Sequence, residues 1–436
     1  MSGAELADAK TGRKTWRNWS GSQTTTPAHW AKPESLADLQ TLVRGAGKGC
    51  RVVGSGHSFT PIAATDTTLI DLSAFSGVRG SDPGTGRARL AAGARLRELS
   101  PALQRDGLAF RNLGDIDVQS LAGAVSTATH GTGQRLPCLA AEMRAATLVT
   151  ADGALLRVDG ETDPDLLAAV QVSLGLLGVL VEAEMAVVPA YRLRRRTWTL
   201  PLADFLSSAP DLWSRHRNFE AFYIPFSGHC LCIAHDLTDA PATLREPTDD
   251  DAAVLGLKSI RDGLMHDPAT RREKLAAAFE SLPGEDVVGQ GWQLLSSDRN
   301  VPFNEMEYHL PTDSGLDVLA ETIETVERHC PDVFFPIEVR QTAGDTAWLS
   351  PFQDGARMSI AVHAHAEDGY EWMMTRVEPL FRRAGGRPHW GKLHTLAARD
   401  LAALYPDFAR FQALRRELDP DGRFLTPYLA ALIGAG

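Results

Sequence analysis

The strongest restriction on the fold is a histidine inside a glycine-rich turn, GSGHS at residues 54–58, directly after the apolar pair Val52-Val53. Glycines let a chain turn tightly and bring successive backbone N–H groups within reach of an anion. The segment therefore has the make-up of a backbone cradle for a phosphate group. The alternative is an ordinary tight turn, in which His57 joins Asp66 and Asp71 in a structural hydrogen-bond set.

A second segment near the other end of the chain, RPHWGK at residues 387–392, offers complementary chemistry. Pro388 fixes the backbone and Gly391 permits close approach, while Lys392 presents a cation about one turn from the imidazole of His389. By itself the segment is equally consistent with a solvated loop. Taken with the first segment, it predicts that the C-terminus folds back on the core and that a cofactor is held from both ends of the chain.

Small residues dominate a third segment, SLAGAVSTATHGTG at residues 120–133. It offers hydroxyl groups and bare backbone at Ser120, Gly123, Ser126, Thr127, Thr129, Gly131 and Gly133. Such a run packs poorly as a core element and suits a surface that lies flat against a planar polar ligand, where side chains would obstruct contact. The alternative is a helix and turn built of small residues.

Two strand-like segments carry paired polar side chains. In FFPIEVR, residues 334–340, alternation puts Glu338 and Arg340 on one face, and the apolar neighbours indicate burial. Buried charges have to be paired or functional, so the alternative to a functional site is a salt bridge. In AVHAHA, residues 361–366, His363 and His365 share a face. No third metal ligand is evident there, so a metal site is disfavoured against satisfied core histidines.

Charge and cysteine content narrow the possible function classes. The 436-residue chain has a formal net charge of -11, which argues against nucleic-acid and anionic-membrane partners because both need a basic face. Its five cysteines lack framework spacing, which indicates reduced thiols and a cytoplasmic location. The N-terminus has no apolar region of a secretory signal, and the most apolar stretch, residues 174–181, is too short to span a bilayer.

Hydrophobic periodicity predicts an α+β fold in which the chain leaves its first domain near Pro189 and returns to it after Gly386. A helix starting at Ser35, strands at residues 51–53, 68–72 and 88–92, and a hairpin over residues 146–158 are expected in the first domain. The helix at about residues 96–104 has two candidate starts, because Pro101 is also typical of a first turn. Strands at residues 334–340 and 358–364 are expected in the second domain.

Together, these segments resemble the vanillyl-alcohol-oxidase flavoprotein superfamily and, within it, the sugar-lactone oxidases of the L-gulono-1,4-lactone and D-arabinono-1,4-lactone oxidase type. The resemblance covers nearly the whole chain and is specific as a combination. It rests on WRNWSG at residues 16–21, GSGHSF at 54–59, NLGDID at 112–117, AGAVSTATHGTG at 122–133, FNEMEY at 303–308, FPIEVR at 335–340, RPHWGKLHTL at 387–396 and PYL at 427–429. Alditol oxidases share several of these motifs and are the close competitor.

The resemblance implies a two-domain FAD-binding fold. We expect an N-terminal arm at residues 1–24, an FAD-binding domain at 25–190, and a cap domain at 191–385 with an antiparallel sheet flanked by helices. A C-terminal segment at 386–436 would return to the FAD-binding domain. The implied cofactor is FAD, bonded covalently through His57 to the flavin 8α-methyl group. The other expected cofactor-binding residues are Gly54, Ser55, Gly56, Ser58, Gly114, Asp115, Ser120, Gly123, Thr127, Ala128, Thr129, His130, Val179 and His389.

The same resemblance implies a catalytic set of Glu338, Arg340, His389 and Lys392. Reduced flavin is anionic around N1 and C2=O, so a cation from Arg340 or Lys392 placed there would favour reduction. Glu338 can accept hydrogen bonds from two substrate hydroxyls at once. Lys392 or His389 would take the hydroxyl proton, and the sequence leaves that choice open.

The expected reaction is oxidation of a sugar 1,4-lactone at C2 by hydride transfer to flavin N5. Oxygen would become hydrogen peroxide, and the product would be an ascorbate-type enediol lactone. Asp115 and His365 depart from the alditol-oxidase pattern and favour a lactone, so they join Glu338, Arg340 and Lys392 as expected substrate-binding residues. The small Gly114 would admit dioxygen, which argues for an oxidase over a strict dehydrogenase.

Two other functions compete with lactone oxidation. The first is oxidation of an alditol, xylitol or sorbitol, on the same scaffold. The second is a flavin-binding protein without catalysis, against which the intact Glu338–Arg340 pair and the RPHWGK segment argue. The sequence predicts no metal site and leaves the oligomeric state open.

Overall fold

Two sheet systems divide the chain near residue 190. The computed structural model describes residues 6–7, 14–243 and 250–434. Most of the N-terminal segment behind the prediction about a secretory signal, residues 1–5 and 8–13, lies outside the described residues.

The first part of the chain contains short strands and four helices among its described residues. The strands are β1 (Leu6–Ala7), β2 (Lys14–Arg17), β3 (Thr24–Thr25), β4 (His29–Ala31), β5 (Arg51–Val53), β6 (Thr68–Asp71), β7 (Val78–Asp82), β8 (Arg87–Ala91), β9 (Leu108–Ala109), β10 (Met143–Val149), β11 (Leu155–Asp159), β12 (Val179–Ala186) and β13 (Val188–Pro189). The helices are α1 (Leu36–Gly45), α2 (Leu96–Arg105), α3 (Leu121–Ser126) and α4 (Pro164–Gln171). Three of these strands form a parallel sheet of order β4-β6-β5, and five form an antiparallel sheet of order β11-β10-β12-β8-β7.

The glycine-rich turn leaves the carboxyl end of a parallel strand. Helix α1 begins where the Ser35 side chain accepts the N–H of Asp38, and its buried Leu39 and Val43 pack on the core. The chain then enters β5, which pairs in parallel with β6 and ends at Val53. Residues 54–58 therefore follow a strand that comes after α1 in the chain and is hydrogen-bonded to β6.

The second part of the chain builds one large antiparallel sheet. Its strands are β14 (Arg192–Pro201), β15 (Asn218–Ile224), β16 (His229–Leu237), β17 (Asp286–Gln290), β18 (Phe303–Pro311), β19 (Ile337–Thr342), β20 (Arg357–His365) and β21 (Arg387–Pro388). Its helices are α5 (Leu202–Arg215), α6 (Asp250–Gly263), α7 (Pro268–Glu280), α8 (Gly291–Leu295), α9 (Gly315–His329) and α10 (Glu378–Arg383). The strand order is β17-β14-β16-β15-β19-β20-β18-β21.

The C-terminal segment packs against the first sheet system. It contains α11 (Ala398–Leu404), α12 (Phe408–Leu418) and α13 (Pro427–Ile433). The N–H of Phe59 donates to Gly391 O at 2.7 Å, and the Thr60 hydroxyl donates to Trp390 O at 3.2 Å. The N–H of Cys50 donates to Arg423 O at 2.9 Å. Residues 54–60 and 387–392, which are more than 300 positions apart in sequence, are therefore joined through their backbones.

The α+β fold class predicted from the sequence is confirmed, with two differences in detail. Helix α2 starts at Leu96 and contains Pro101 within it, so the proline does not mark its first residue. The strand expected at residues 334–340 begins at Ile337 and extends to Thr342. Phe334 and Phe335 precede the strand, since Pro336 lacks the N–H that a ladder position requires. The residue limits of the domains stay a prediction.

Candidate active site

Two cavities of similar size meet at the glycine-rich turn. The first has a volume of about 400 Å³, and its lining includes residues 51–58, Ser120, Gly123, Gly175 and residues 178–180. The second has a volume of about 420 Å³ and lies between the turn and the face of the large sheet. Four residues line both cavities: His57, Ser58, Gln119 and Thr127. A long ligand can therefore pass from one cavity to the other beside His57.

Close backbone approach explains the residue types of the turn. A Cβ atom added at Gly54 would collide with Ser120 Oγ, so a larger residue would displace the hydroxyl that caps α3 by accepting the N–H of Gly123. Gly56 has a φ of +72°, a conformation that side chains other than glycine rarely adopt. The Ser55 hydroxyl donates to Val118 O, which ties the turn to the loop that precedes α3.

His57 sits in an apolar and positively charged environment. Its ring stacks on Trp19 with 5.3 Å between the ring centroids. Burial, followed by the nearby charge of Lys392, lowers the pKa of His57 to about 3. The imidazole is therefore neutral at physiological pH, which is the form with a nucleophilic nitrogen lone pair.

Arg340 is the centre of a buried ion network in the second cavity. Its Nη1 donates to Asp115 Oδ2 at 3.0 Å, and its Nη2 lies 2.6 Å from Glu307 Oε1 and 3.1 Å from Glu338 Oε2. Glu307 also accepts a hydrogen bond from His130 Nε2 at 3.1 Å. One guanidinium therefore compensates three carboxyl groups that are held by three different elements.

The carboxyl groups of this network differ in protonation. Burial raises the pKa of Glu338 well above its usual range, and the proximity of Asp115 adds to the rise. Burial opposes ionisation of Asp115 and Glu307, but the Arg340 charge and the hydrogen bonds and charges of their other neighbours together outweigh it and lower the pKa of both groups. Asp115 and Glu307 therefore favour the carboxylate form, whereas Glu338 is the carboxyl group of the three that favours its protonated form.

The RPHWGK segment places its cation and its imidazole at the same cavity. Lys392 Nζ donates to Glu305 Oε2 on β18. His389 Nδ1 accepts the N–H of Gly391 at 3.0 Å, so the neutral ring carries its proton on Nε2. Burial lowers the pKa of His389 to about 3. The lysine and the histidine are therefore fixed by different partners and present donors of different kinds.

Most of the residues predicted from sequence line the two cavities. In the first lie Gly54, Ser55, Gly56, Ser120, Gly123 and Val179, and in the second lie Gly114, Asp115, Thr129, His130, Glu338, Arg340, His389 and Lys392. Ala128 lines neither cavity, since it is fully buried in the core, where its φ of +59° turns the chain between Thr127 and Thr129.

His365, expected at the substrate, lies outside the second cavity, and His363 lines it instead. Strand β20 ends at His365, whose Nδ1 accepts the N–H of Glu367 at 3.3 Å. His363 lies 3.7 Å from Glu305 Oε1 and hydrogen-bonds Pro336 O through Nδ1. The two histidines share a strand face, but only His363 is far enough from the strand end to reach the cavity.

Sequence reasoning missed several cavity residues. Trp19, Glu220, His235, Glu305 and Glu307 all line the second cavity. Glu305 and Glu307 alternate within FNEMEY, the same signal that singled out Glu338 and Arg340, so strand periodicity could have found them. Trp19 carried no such signal, because its contact with His57 joins two segments that irregular loops position.

Within the part of the chain that the structure describes, no helix is both long and apolar enough to cross a membrane.

Two family models match the chain. The model described as D-arabinono-1,4-lactone oxidase matches residues 183–432, and the model described as FAD binding domain matches residues 27–159. A protein named L-gulono-1,4-lactone dehydrogenase, from Mycobacterium tuberculosis, is 36% identical over 429 residues, which cover 96% of this chain and 99% of that protein. The alditol oxidase of a Streptomyces species is 30% identical over 438 residues, which cover 95% of this chain and 98% of that protein.

More distant matches agree in length and fold. The L-gulonolactone oxidase of Bos taurus is 28% identical over 95% of this chain and 97% of its own. Among solved structures, the cholesterol oxidase of Brevibacterium sterolicum superimposes with a TM-score of 0.79 at 16% identity, over 99% of both chains. At that identity the likeness concerns the fold alone.

Proposed function

The chain belongs to the D-arabinono-1,4-lactone oxidase family of FAD-dependent oxidoreductases, and from that premise we propose that it oxidises a sugar 1,4-lactone at C2 in the second cavity. Bound FAD would supply the hydride acceptor. The observation that carries the proposal is the convergence of the buried Glu338 and Arg340 and the half-buried Lys392 on one cavity that adjoins His57.

The shape and chemistry of the two cavities fit FAD. A dinucleotide is an elongated ligand, and the two cavities adjoin each other at four shared polar residues: His57, Ser58, Gln119 and Thr127. Gln119 Oε1 is buried at this junction without a hydrogen-bond partner among the described residues. A buried acceptor of this kind is costly unless a ligand satisfies it. We assign the adenine and pyrophosphate to the first cavity, around Gly54–Ser58 and Val179, and the flavin ring to the second.

We further propose that FAD is bonded covalently to His57. The support is local: the histidine borders both cavities, stacks on Trp19, and is neutral at physiological pH. A neutral imidazole offers the lone pair for a bond to the 8α-methyl carbon. A C–H bond of that methyl group would break, its electron pair would reduce the flavin, and dioxygen would reoxidise it. The bond would hold the flavin ring against the substrate side of the second cavity.

The substrate would meet donors and acceptors of fixed orientation. Arg340 supplies the buried cation that favours an electron-rich flavin, as well as a hydrogen-bond donor. Asp115 and Glu338 supply carboxyl oxygens beside it. Since His365 lies outside the cavity, we assign a substrate contact to His363 in its place.

We assign the proton transfer to Lys392. The N–H of Gly391 donates to His389 Nδ1, so the proton of the neutral ring is on Nε2. This nitrogen is therefore suited to donate a hydrogen bond to a substrate oxygen rather than to accept a proton. Lys392 is paired with Glu305, and it can take the proton of the C2 hydroxyl as one of its own protons passes to that carboxylate. This pair lies at the same cavity as Arg340 and Glu338.

The test is a panel of substrates added anaerobically to the yellow holoprotein. L-gulono- and D-arabinono-1,4-lactone should bleach the flavin absorbance faster than xylitol and sorbitol do. If alditols bleach the flavin much faster than lactones do, alditol oxidation replaces lactone oxidation as the proposed function. Alditol oxidation is the second candidate because the chain is similar to the Streptomyces alditol oxidase. A flavin that no sugar bleaches would indicate a binding protein without catalysis.

A further inference from the structure

Two buried polar side chains on the cavity face of the large sheet have no role in the reaction described above. Glu220 on β15 and His235 on β16 are 8% and 3% exposed, and both line the second cavity. Glu220 Oε2 and His235 Nδ1 each lack a hydrogen-bond partner among the described residues. Buried polar atoms are costly without a partner, so both atoms need one that the described residues do not supply.

Strand register places Glu220 on the far side of Arg340 from His130. Contacts run from His130 to Glu307 and from Glu307 to Arg340. Glu220 stands directly opposite Arg340 in the β15–β19 pairing. Carboxyl oxygens of Asp115, Glu220 and Glu338 all lie within 4.8 Å of one another. Glu220 therefore extends the polar surface of the site away from His130.

The two side chains offer complementary hydrogen bonding. His235 Nε2 donates to Leu294 O at 3.1 Å, which leaves Nδ1 as a pure acceptor. Burial, followed by the charge of Arg195, lowers the pKa of His235 to about 3, so the ring stays neutral. Burial and then the charge of Asp115 raise the pKa of Glu220 to about 8. At neutral pH, Glu220 can therefore donate as well as accept.

Apolar side chains border this pair and limit what else can satisfy it. Phe222 and Ile224 follow Glu220 on the same face of β15, and Leu231 and Ile233 precede His235 on the same face of β16. None of these four side chains can hydrogen-bond a hydroxyl. A polar group of a ligand beside these four side chains would have to reach the polar residues around them, which include Glu220 and His235.

We propose that Glu220 and His235 bind the hydroxyls of the lactone's exocyclic side chain, which lie at C5 and C6 in L-gulono-1,4-lactone, and thereby select that side chain. The inference rests on the proposed function, which puts C2 beside Lys392 and His389. In a 1,4-lactone the side chain is attached at C4, across the ring from the C1–C2 edge, so it points away from the reacting carbon. Glu220 and His235 would be specificity residues, without a part in hydride or proton transfer.

The substrate pair that tests this proposal is L-gulono-1,4-lactone and its 5,6-dideoxy analogue, which keeps the carbon skeleton but has no exocyclic hydroxyl. Wild-type protein should prefer the hydroxylated lactone in kcat/KM, because the analogue leaves two buried groups unsatisfied. Glu220→Ala should lower that preference at least tenfold, mainly through KM. His235→Phe should lower it in the same direction.

A matched control separates this effect from the loss of any buried carboxylate. Glu142 is 7% exposed, pairs with Arg111 and Arg144, and lines neither cavity. Glu142→Gln should leave the preference unchanged. Melting temperature and flavin absorbance identify any variant that fails to fold. Unchanged preference in folded Glu220→Ala and His235→Phe would overturn the inference alone, whereas wild-type flavin that no lactone reduces would overturn the proposed function and the inference with it.

The pH dependence of KM gives a second test, with Glu220→Gln as the variant that keeps both shape and a donor. The groups that face Glu220 are Arg340 and Glu338 on β19, Arg195 on β14, His235 on β16, and Asp115 and Arg299 on loops. As the pH rises through about 8, Glu220 loses its donor proton and gains a charge beside Asp115. KM for the hydroxylated lactone should rise in wild type and stay level in Glu220→Gln. Parallel profiles of the two proteins would contradict the assignment.

Discussion

A single guanidinium decides the electrostatics of the second cavity. Arg340 is 5% exposed and contacts Asp115, Glu307 and Glu338, so removing it would leave carboxylates buried without compensation. The network also explains why neighbouring carboxyl groups titrate in opposite directions, since one cation cannot hold all of them ionised. The protonation of each of these carboxyl groups therefore depends on the Arg340 charge that they share.

His57→Ala tests the proposed covalent bond. After denaturing electrophoresis, the wild-type band should show flavin fluorescence and the His57→Ala band should not, because the variant lacks the imidazole nitrogen. The exposed His29 provides the control, since His29→Ala should keep a fluorescent band. Fluorescence that persists in His57→Ala would move the attachment point to another residue.

Gly114→Leu tests the proposed use of dioxygen. A Cβ at residue 114 would lie 3.0 Å from His130 O and 3.2 Å from Thr129 Cγ2, so a leucine side chain would fill space beside two residues assigned to the flavin ring. Peroxide formation should fall at least tenfold, while an artificial dye should still accept the electrons. Full peroxide yield from Gly114→Leu in an oxygen electrode would refute this role.

At the scale of elements, strand alternation determines which side chains reach the site. Strands β18, β19 and β20 each point alternate residues into the second cavity, including Glu305, Glu307, Glu338, Arg340 and His363. The short segment RPHWGK adds an edge strand to the large sheet, because Pro388 pairs with Tyr308 on β18. Periodicity predicts the shared face correctly. It does not show where along the strand the cavity ends, and the comparison with the alditol-oxidase pattern selects His365, whereas His363 is the histidine that lines the cavity.

At the scale of the whole molecule, Arg51 joins segments that are distant in sequence. Its buried guanidinium donates to Ile62 O at 3.0 Å, Leu174 O at 2.6 Å, Gly175 O at 3.3 Å and Phe424 O at 3.1 Å. Burial lowers the pKa of Arg51 to about 10, so the group remains charged at neutral pH. Because it also lines the first cavity, Arg51 couples the C-terminal return to the cofactor site.

Arg51→Met should lower the free energy of unfolding by about 3 kcal/mol or more, because four buried carbonyl oxygens would lose a charged donor. Denaturant unfolding of the holoprotein measures the change. Arg44→Met is the control, since Arg44 is exposed and donates to one carbonyl, Asp152 O, at 3.3 Å. Equal stability of Arg51→Met and wild type would show that the C-terminal segment is held by other contacts.

The sequence alone determined the fold class, the glycine-rich turn and the strand faces, because local sterics and hydrophobic periodicity act over a few residues. The resemblance of its motifs supplied the family, which the comparisons confirm. Only the tertiary structure decided that Glu220, His235 and Glu307 line the second cavity, that His363 lines it and His365 does not, and which carboxyl groups favour their protonated form. These depend on register, on strand ends and on burial among distant charges, quantities that exist only once segments far apart in sequence have packed together.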